Sequence, residues 1–283
     1  MCDNKNEDVL KAWAESAQYW DKHYRTVRSM FAPVTDALIA AARIAPGSRV
    51  LDVSGGAGEP SLTIAEKVSP GGHVEYSDPI EGMMAIAQGQ ARNRGLANVS
   101  FHCAPAESLP FPDATFDCVT CRFGAMFFAD PLLGAKEIVR VLKPGGKMAF
   151  AVWRHREFNP FFAIVADAVG KYIEQVPEDP DAPGAFRFAE PGSLPRVLVS
   201  AGASNASESI LEFPAEARIA LEDFWTIRVE LSETLRSKVA QLSPAQLEAA
   251  RREVTAAAAL YFDNGTLNIP AQALIVRASR NRN

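Results

Sequence analysis

Short apolar runs alternate with amphipathic segments through the first half of the chain. A short apolar run bounded by glycine or polar residues is typical of a buried strand, and apolar residues recurring every three or four positions are typical of a helix. The pattern predicts strand 49–53, helix 59–68, strand 73–77, helix 80–94, strand 98–103, strand 115–121, helix 131–141 and strand 146–153. This alternation favours an α/β fold with a doubly wound, mostly parallel sheet and helices on both faces.

The flanking regions are predicted to be largely helical. The N-terminal elements are helix 7–28 and helix 33–43. The predicted elements after residue 153 are helix 158–176, a proline-rich connection 177–191, helix 192–201, strand 207–213, helical segments within 221–261 and strand 271–277. With these last two strands the predicted sheet has seven strands.

Composition limits the classes of function. The chain has 283 residues and is 48% apolar, which is enough for a full hydrophobic core. Its net charge of −5 disfavours nucleic acid as a partner, because a nucleic-acid surface attracts basic proteins. We recognise no leader segment and no apolar run as long as a membrane span. These features predict a cytoplasmic protein without a membrane span.

Residues 49–58 join a predicted strand to a predicted helix through a glycine turn. Glycines let the backbone approach a ligand closely, and exposed N–H groups attract negative charge. A dinucleotide fingerprint requires G-x-G-x-x-G, but Ser61 follows Gly56 and Gly58 at the third position. Asp78 ends the next predicted strand and is suitably placed to accept hydrogen bonds from ribose hydroxyls. The pattern therefore favours a nucleoside ligand without a pyrophosphate.

Five ordered motifs in the first half of the chain resemble those of class I S-adenosylmethionine (SAM)-dependent methyltransferases. They are 50–58 for the glycine loop, Asp78 with 83–85 for the ribose motif, 106–111 for the adenine-side loop, 116–119 for the fourth strand and 140–146 for the turn into the fifth. The chain most resembles the ubiquinone/menaquinone methyltransferase-like subgroup (methyltransferase type 11), which acts on small molecules.

The resemblance implies a SAM-dependent methyltransferase that releases S-adenosylhomocysteine (SAH). The methyl group would pass by in-line displacement to a small, apolar or aromatic acceptor, whose reacting atom the sequence leaves open. Three regions are implied: an N-terminal helical lid, 1–45; a SAM-binding Rossmann-like core, 46–153; and 154–283, which combines cap and substrate helices with the strands that complete the sheet. We expect the helical cap to carry aromatic residues, although each of these could instead pack in the core. They are Trp20, Tyr24, Phe186, Phe188 and Trp225.

The resemblance also assigns residues to the cofactor. These are Asp52, Ser54, Gly55, Gly56, Gly58, Asp78, Pro79, Met83, Ala106, Glu107, Arg122 and Phe123. Two positions depart from the family pattern. Ser54 replaces the first glycine of the loop, and Pro105 stands where an acidic residue often precedes Ala106. Arg122 is a candidate for binding the substrate or the cofactor carboxylate, and Phe123 for the wall of the methyl site, with a structural ion pair and core packing as the alternatives.

Two histidines are candidates for a general base, since imidazole accepts protons near neutral pH. His155 follows the fifth predicted strand, and His23 lies on the predicted lid helix. The alternative for both is an ordinary structural hydrogen bond.

The cysteines do not predict a metal site. Cys118 and Cys121 form a C-x-x-C within a predicted strand, where residues three apart point to opposite faces. Together with Cys103 they are expected to be buried thiols that pack as small apolar residues. No cluster with metal-ligand spacing appears near the motifs, so we predict no metal.

Two other functions remain open at this stage. The departures at Ser54 and Pro105 are compatible with a degenerate or regulatory SAM-binding protein. A nicotinamide-dependent oxidoreductase is the third possibility, disfavoured by Ser61. The expected partners are SAM and a small-molecule acceptor, with no nucleic acid.

Overall fold

One mixed β-sheet runs through the protein, which we describe from a computed structural model covering residues 3–174, 179 and 181–282. The helices of the described residues are α1 (Asp3–Lys22), α2 (Tyr24–Met30), α3 (Ala32–Ala41), α4 (Ser61–Val68), α5 (Glu81–Asn93), α6 (Pro131–Val141), α7 (Pro160–Gly170), α8 (Ser193–Ser200), α9 (Asp223–Glu230), α10 (Glu233–Val239) and α11 (Pro244–Ala258). The strands are β1 (Arg49–Val53), β2 (His73–Asp78), β3 (Val99–Cys103), β4 (Phe116–Arg122), β5 (Leu142–Trp153), β6 (Ala203–Arg218), β7 (Phe262–Asp263) and β8 (Thr266–Arg280).

The strand order is β3-β2-β1-β4-β5-β8-β6, with the short β7 paired to β8. The first five strands are parallel, whereas β8 is antiparallel to both β5 and β6. The order reverses between β1 and β4, and a crevice opens outside the carboxyl ends of the strands at such a point. The predicted α/β fold, with a doubly wound and mostly parallel sheet, is confirmed.

The sheet is covered on both sides by helices, and its strands are correspondingly apolar. β1 is buried at four of its five positions. Val34 and Leu38 of α3 are fully buried in the same core cluster as Val50 and Leu51 of β1. Burying a side chain of this size stabilises a fold by about 1.5–3 kcal/mol. This packing explains why the parallel strands can be recognised as short apolar runs.

Two predicted helices differ in the structure. The helix predicted over 7–28 is divided into α1 and α2, because His23 leaves the helical conformation with φ −101° and ψ 13°. The helix predicted over 158–176 begins only at Pro160, where proline suits a helix start, and it ends at Gly170. The last two residues of that prediction, 175 and 176, lie outside the described residues, as do Pro177 and Pro180.

The last two long strands extend well beyond their predicted bounds. β6 and β8 form an antiparallel ladder in which Pro214 stands opposite Pro270. A proline inside a predicted strand normally argues for the strand's end, because it cannot donate to the ladder. Here the two prolines face each other, so the ladder continues past both. Among the described helices, none is long and apolar enough to cross a membrane.

Candidate active site

Asp52 connects the carboxyl end of β1 to neighbouring elements through side-chain hydrogen bonds. Its side chain is fully buried, and its Oδ2 accepts a hydrogen bond from Ser61 Oγ at 2.5 Å. Its Oδ1 accepts from Thr120 Oγ1 at 2.7 Å. Burial raises the pKa of Asp52 to about 6, despite these two hydrogen bonds. Asp52 therefore ties β1 to β4 and to the start of α4, and it does not reach the cavity described below.

The loop after β1 approaches the cavity at a glycine. Ser54 has φ +56°, Gly56 has φ +55° and Gly58 has φ +114°, so three residues of this loop have a positive φ. A Cβ on Gly56 would have no neighbouring atom within 4 Å, because the residue faces the cavity. A Cβ on Gly58 would instead meet Leu62 Cδ1 at 2.9 Å. Gly58 therefore allows close packing against α4 and is not part of the cavity wall.

Asp78 ends β2 and presents a carboxylate to the cavity. Its Oδ2 accepts from the backbone N–H of Gly56 and its Oδ1 from that of Ile80, both at 2.9 Å. Burial raises the pKa of Asp78 to about 6, although both backbone hydrogen bonds favour the charged form. The carboxylate is thus fixed in place with lone pairs left for a ligand hydroxyl.

A cavity of about 400 Å³ opens over the carboxyl ends of β1, β2 and β4. Ligand sites have volumes of about 300–1,000 Å³. Ten of the twelve predicted cofactor residues lie in its wall: Ser54, Gly55, Gly56, Asp78, Pro79, Met83, Ala106, Glu107, Arg122 and Phe123. The other two, Asp52 and Gly58, lie beneath the loop.

Helices α1 and α2 form the roof of this cavity. Val9, Leu10, Trp13 and Trp20 contribute from α1, and Tyr24 contributes from α2. Trp13 packs edge-on against Phe127, which follows β4, with ring centroids 5.0 Å apart.

The region expected to form a second cap does not line the cavity. Its wall includes no residue from the described part of 154–283. Phe186 packs against Phe162, and Phe188 and Trp225 are buried in the core. Residues of this region still support the wall from behind, since Arg187 Nη1 donates to the carbonyl of Phe128 at 2.7 Å. The described residues after 153 thus do not line the cavity, and the role of this region as a cap stays a prediction.

One end of the cavity carries a buried carboxylate that the sequence reasoning missed. Only 4% of the Glu59 side chain is exposed, and its Oε1 lies 2.5 Å from Arg94 Nη1 and 3.1 Å from Arg28 Nε. Tyr24 Oη donates to the same oxygen at 3.2 Å. Burial, and then the charge of Glu59, raises the pKa of Tyr24 to about 12. The sequence did offer one signal for this carboxylate, because Glu59 is a charged residue directly after the glycine loop.

Arg122 ends β4 in the cavity wall, and Phe123 follows it there. Arg122 Nη1 donates to Thr35 Oγ1 at 2.9 Å, and burial lowers the pKa of the guanidinium from its ordinary value. Phe123 adopts φ +61°, a conformation that is strained for a side chain of this size. Its ring stacks on Trp153 with centroids 4.0 Å apart, and Phe31 lies edge-on at 5.6 Å. Phe31, Phe123 and Trp153 therefore form an aromatic wall, and the Arg122 guanidinium lies nearby.

The two histidine candidates lie outside the cavity wall. His155 is exposed, and its Nε2 lies 3.2 Å from Glu190 Oε2. His23 is buried, and its Nε2 lies 2.6 Å from Glu230 Oε2. Both make ordinary ion-pair or hydrogen-bond contacts, so the structure does not support either as a general base.

The cysteine prediction is right for two residues and wrong for one. Cys118 and Cys121 are buried, as expected for thiols that pack as apolar side chains. Cys103 is exposed instead and lies in the cavity wall, because β3 is the edge strand of the sheet.

Comparison with known proteins agrees with the fold and with the motifs. The sequence profile of the ubiE/COQ5 methyltransferase family matches residues 34–171. A demethylmenaquinone methyltransferase of Listeria welshimeri is 30% identical over 182 residues, an alignment that covers 61% of this chain and 77% of that protein. The ubiquinone/menaquinone biosynthesis C-methyltransferase UbiE of Geobacter sulfurreducens is 33% identical over 182 residues, covering 62% of each chain.

Solved structures extend the similarity of fold to more of the chain. The YcgJ protein of Bacillus subtilis superposes with a TM-score of 0.55 at 20% identity, covering 88% of this chain and 98% of that one. Phosphoethanolamine N-methyltransferase 2 of Haemonchus contortus, solved with SAM, superposes with a TM-score of 0.55 at 16% identity, covering 93% of this chain and 58% of that one.

A doubly wound sheet with a ligand cavity over its carboxyl edge, combined with these relatives, defines a SAM-dependent methyltransferase that acts on a small molecule. Within that class, the chain belongs to the ubiE/COQ5 methyltransferase family.

Proposed function

We propose that the cavity beneath α1 and α2 holds SAM along the carboxyl ends of β1 and β2, with a small aromatic, quinone-type acceptor beside it. The observation that carries the proposal is the Asp78 carboxylate, fixed by Gly56 and Ile80 within the cavity wall. The names of the relatives support the acceptor class, since they describe enzymes of demethylmenaquinone and of ubiquinone/menaquinone biosynthesis.

The residues of the wall suit an adenosine ligand. Asp78 would accept hydrogen bonds from the ribose hydroxyls. Gly56 offers space for close backbone approach, because a Cβ at that position would project into the open cavity. The backbone N–H groups of Ala106 and Glu107 would meet the adenine ring, and Met83 would pack against its face.

The aromatic part of the wall suits a flat, apolar acceptor. Phe31 and Phe123 would stack against an aromatic ring, with Trp153 supporting Phe123 from behind. Arg122 places a cation beside this wall, where it would stabilise an ionised hydroxyl of the acceptor and so raise its nucleophilicity.

Bound SAM supplies a methyl group on a positively charged sulfonium. The contribution of the chain is to align the acceptor with that carbon and to keep water away. The apolar side chains of Trp13 and Trp20 line the cavity and would help to keep water from a bound ligand. Alignment alone can supply much of the rate enhancement, so a wall whose described residues include no histidine is compatible with catalysis.

Calorimetry with SAH and with NAD tests the cofactor, and radiolabelled SAM with a panel of hydroquinones, phenols and amines tests the acceptor. We expect SAH to bind, NAD not to bind, and methyl transfer to a hydroquinone or phenol. Binding of NAD in place of SAH would favour the oxidoreductase. Binding of SAH without turnover across the panel would favour a regulatory protein.

A further inference from the structure

Helix α2 turns one face toward the cavity, and that face carries an arginine. Tyr24, Val27, Arg28 and Phe31 all line the cavity, and Phe31 directly follows the helix. Their spacing of three and four residues places them on one side of a helix. Arg25, on another side of α2, is exposed and does not belong to the wall. The side chain of Arg28 therefore extends on the cavity side of α2.

The guanidinium of Arg28 is accessible and has donors that the fold does not use. Its side chain is 46% exposed, and its Nε lies 3.1 Å from Glu59 Oε1. Neither of its two Nη atoms donates a hydrogen bond to a described residue. A guanidinium has five N–H donors, four of which are on the Nη atoms. A molecule in the cavity can therefore reach unused donors on Arg28.

The Glu59 carboxylate has other partners besides Arg28. Arg94 Nη1 lies 2.5 Å from Glu59 Oε1, and only 13% of the Arg94 side chain is exposed. The backbone N–H of Thr63 donates to Glu59 Oε2 at 3.3 Å. Arg94 also pairs with Glu66, but that carboxylate is 46% exposed and is solvated by water. The positive charge of Arg28 is therefore available to an anionic ligand.

Arg28 lies between two parts of the proposed ligand site. Phe31 of the aromatic wall is three residues further along the chain, and residues three or four apart on a helix have Cβ atoms about 5–6 Å apart. Glu59, on the other side, directly follows the glycine loop. An anionic group at Arg28 could therefore belong to a ring against Phe31 or to the part of the cofactor beyond the loop.

We infer that the Arg28 guanidinium binds a carboxylate of a small molecule held in the cavity, and that Arg28 is thereby a specificity-determining residue. The inference rests on the proposed function. A planar guanidinium can donate two parallel hydrogen bonds to a carboxylate, and such charge-assisted bonds are stronger than neutral ones. Two sources share this chemistry: the amino-acid carboxylate of the cofactor, and a carboxylate on an aromatic acceptor.

Calorimetry with matched ligands tests the cofactor as the source. The ligands are SAH and 5′-(3-aminopropylthio)-5′-deoxyadenosine, which is SAH without its carboxylate. If the carboxylate belongs to the cofactor, Arg28→Met should bind SAH about tenfold more weakly or worse, as for loss of hydrogen bonds to a charged group. The analogue should bind equally well to the parent and to the variant.

A second pair of ligands tests the acceptor as the source. In the presence of saturating SAH, 1-hydroxy-2-naphthoate carries a carboxylate and 1-naphthol does not. If the carboxylate belongs to the acceptor, Arg28→Met should bind 1-hydroxy-2-naphthoate about tenfold more weakly, with 1-naphthol unchanged. Arg28→Lys should recover only part of either loss, because lysine keeps the charge but not the fork of donors.

Arg25→Met is the matched control, because it removes the same charge from an exposed position of the same helix outside the wall. It should leave the affinities of all four ligands unchanged. Circular dichroism should show that Arg28→Met is folded, since Glu59 keeps its contact with Arg94. Arg28→Lys provides the same comparison of ligands with the charge retained.

Unchanged SAH affinity in Arg28→Met, combined with no selective loss for 1-hydroxy-2-naphthoate, overturns the inference and leaves the proposed function standing. Equal losses for the ligands with and without a carboxylate also overturn it, as do equal losses in Arg25→Met. Failure of the parent protein to bind SAH overturns the proposed function together with the inference.

Discussion

The side chain of Ser54 occupies the space that a side chain on Gly124 would need. A Cβ built on Gly124 would lie 2.4 Å from Ser54 Cβ and 3.0 Å from Ser54 Oγ. Ser54 itself adopts φ +56°, a conformation in which glycine is usually found. The substitution of serine for the first glycine of the loop is therefore accommodated locally by the glycine that follows β4.

This contact predicts that substitutions at Ser54 and Gly124 have non-additive effects on the free energy of unfolding. Gly124→Ala should reduce the free energy of unfolding by about 1–3 kcal/mol, as for an overpacked site. Ser54→Gly alone should change it by less than about 1 kcal/mol, because relief of the left-handed conformation offsets the added freedom of glycine in the unfolded chain. In the double variant, the cost of Gly124→Ala should be smaller by about 1 kcal/mol or more. Urea denaturation of the four proteins measures this difference.

Gly89→Ala is the matched control for that cycle. Gly89 lies within α5, and a Cβ there would meet only Arg92 Nη2, at 3.9 Å. This variant should be as stable as the parent or more so, because alanine is the better helix former. Its effect should be independent of Ser54→Gly. A cost for Gly124→Ala that is the same with and without Ser54→Gly would contradict the packing described above.

The second prediction concerns the pH dependence of cofactor binding. Burial raises the pKa of Asp78 to about 6, so the carboxyl becomes protonated as the pH falls below that value. A ribose hydroxyl donates best to the charged form, so SAH affinity should be constant above about pH 7 and fall by up to about tenfold per pH unit below pH 6. Calorimetric titrations between pH 5 and 8 test this slope, and Asp78→Asn should abolish it.

Loss of folding would not account for that slope. A carboxyl whose pKa is raised in the folded state stabilises the fold in its protonated form, and this contribution is lost as the pH rises through the folded pKa. Protonation of Asp78 and of Asp52, whose pKa is also about 6, therefore favours the folded state near pH 5. Circular dichroism at pH 5 should show a folded protein while SAH binding is weakened. An affinity that does not change between pH 5 and 8 would argue against Asp78 as the ribose ligand.

The third prediction concerns the buried ion pair at the charged end of the cavity. Only 13% of the Arg94 side chain and 4% of the Glu59 side chain are exposed. Arg94→Met should lower the free energy of unfolding by about 3 kcal/mol, because it leaves a buried carboxylate with weaker partners. Adding Glu59→Gln to that variant should restore part of the loss.

Glu66→Gln is the control, since Glu66 also pairs with Arg94 but its side chain is 46% exposed. Exposed pairs contribute less than about 1 kcal/mol. Equal losses in Arg94→Met and Glu66→Gln, measured by chemical denaturation, would be inconsistent with Glu59 as the principal partner.

The fourth prediction concerns the attachment of the roof. Glu230, the last residue of α9, accepts from Lys22 Nζ at 2.7 Å and contacts His23 Nε2 at 2.6 Å. Glu230→Gln should release the end of α1 and speed hydrogen exchange of the α1 amides by about tenfold, with a loss of stability of about 1–2 kcal/mol. Exchange followed by mass spectrometry measures the change. Glu233→Gln is the control, because Glu233 bonds Ser237 within its own helix. Unchanged exchange in α1 would show that the roof is held by its apolar contacts alone.

The central elements could be predicted because their signals are local. β1 and β2 are mostly buried; β1 appears as a short, largely apolar run with Asp52 next to its last residue, and β2 ends in Asp78. The carboxyl ends of parallel strands lie at the same edge of a sheet. The nucleoside site was predicted from the position of these carboxylates at that edge. The division of the chain into lid, core and cap remains a prediction, although the roof comes from the expected N-terminal region.

Features that depend on contacts between residues far apart in the sequence could not be predicted from local sequence patterns. Glu59 is buried because Arg94 reaches it from 35 residues away along the chain. β6 continues through Pro214 because the opposing residue of β8 is also a proline. The surroundings of His155 depend on Glu190, which belongs to a segment with no strong periodicity. Each outcome was decided by tertiary packing rather than by the neighbouring residues.

The attachment of the roof also sets the order in which the cavity is completed during synthesis. α1 is translated before its partners in α9 and α10, which come much later along the chain. His23 and Glu230 are separated by 207 residues, and Ser16 and Arg236, which donates to it, by 220. A ribosome adds about 5–20 residues per second, so the N-terminal helix waits about ten seconds or more for these contacts. A nascent chain ending after β5 would contain the glycine loop and Asp78 without an anchored roof. We therefore expect tight cofactor retention to appear only after α9 and α10 have left the ribosome.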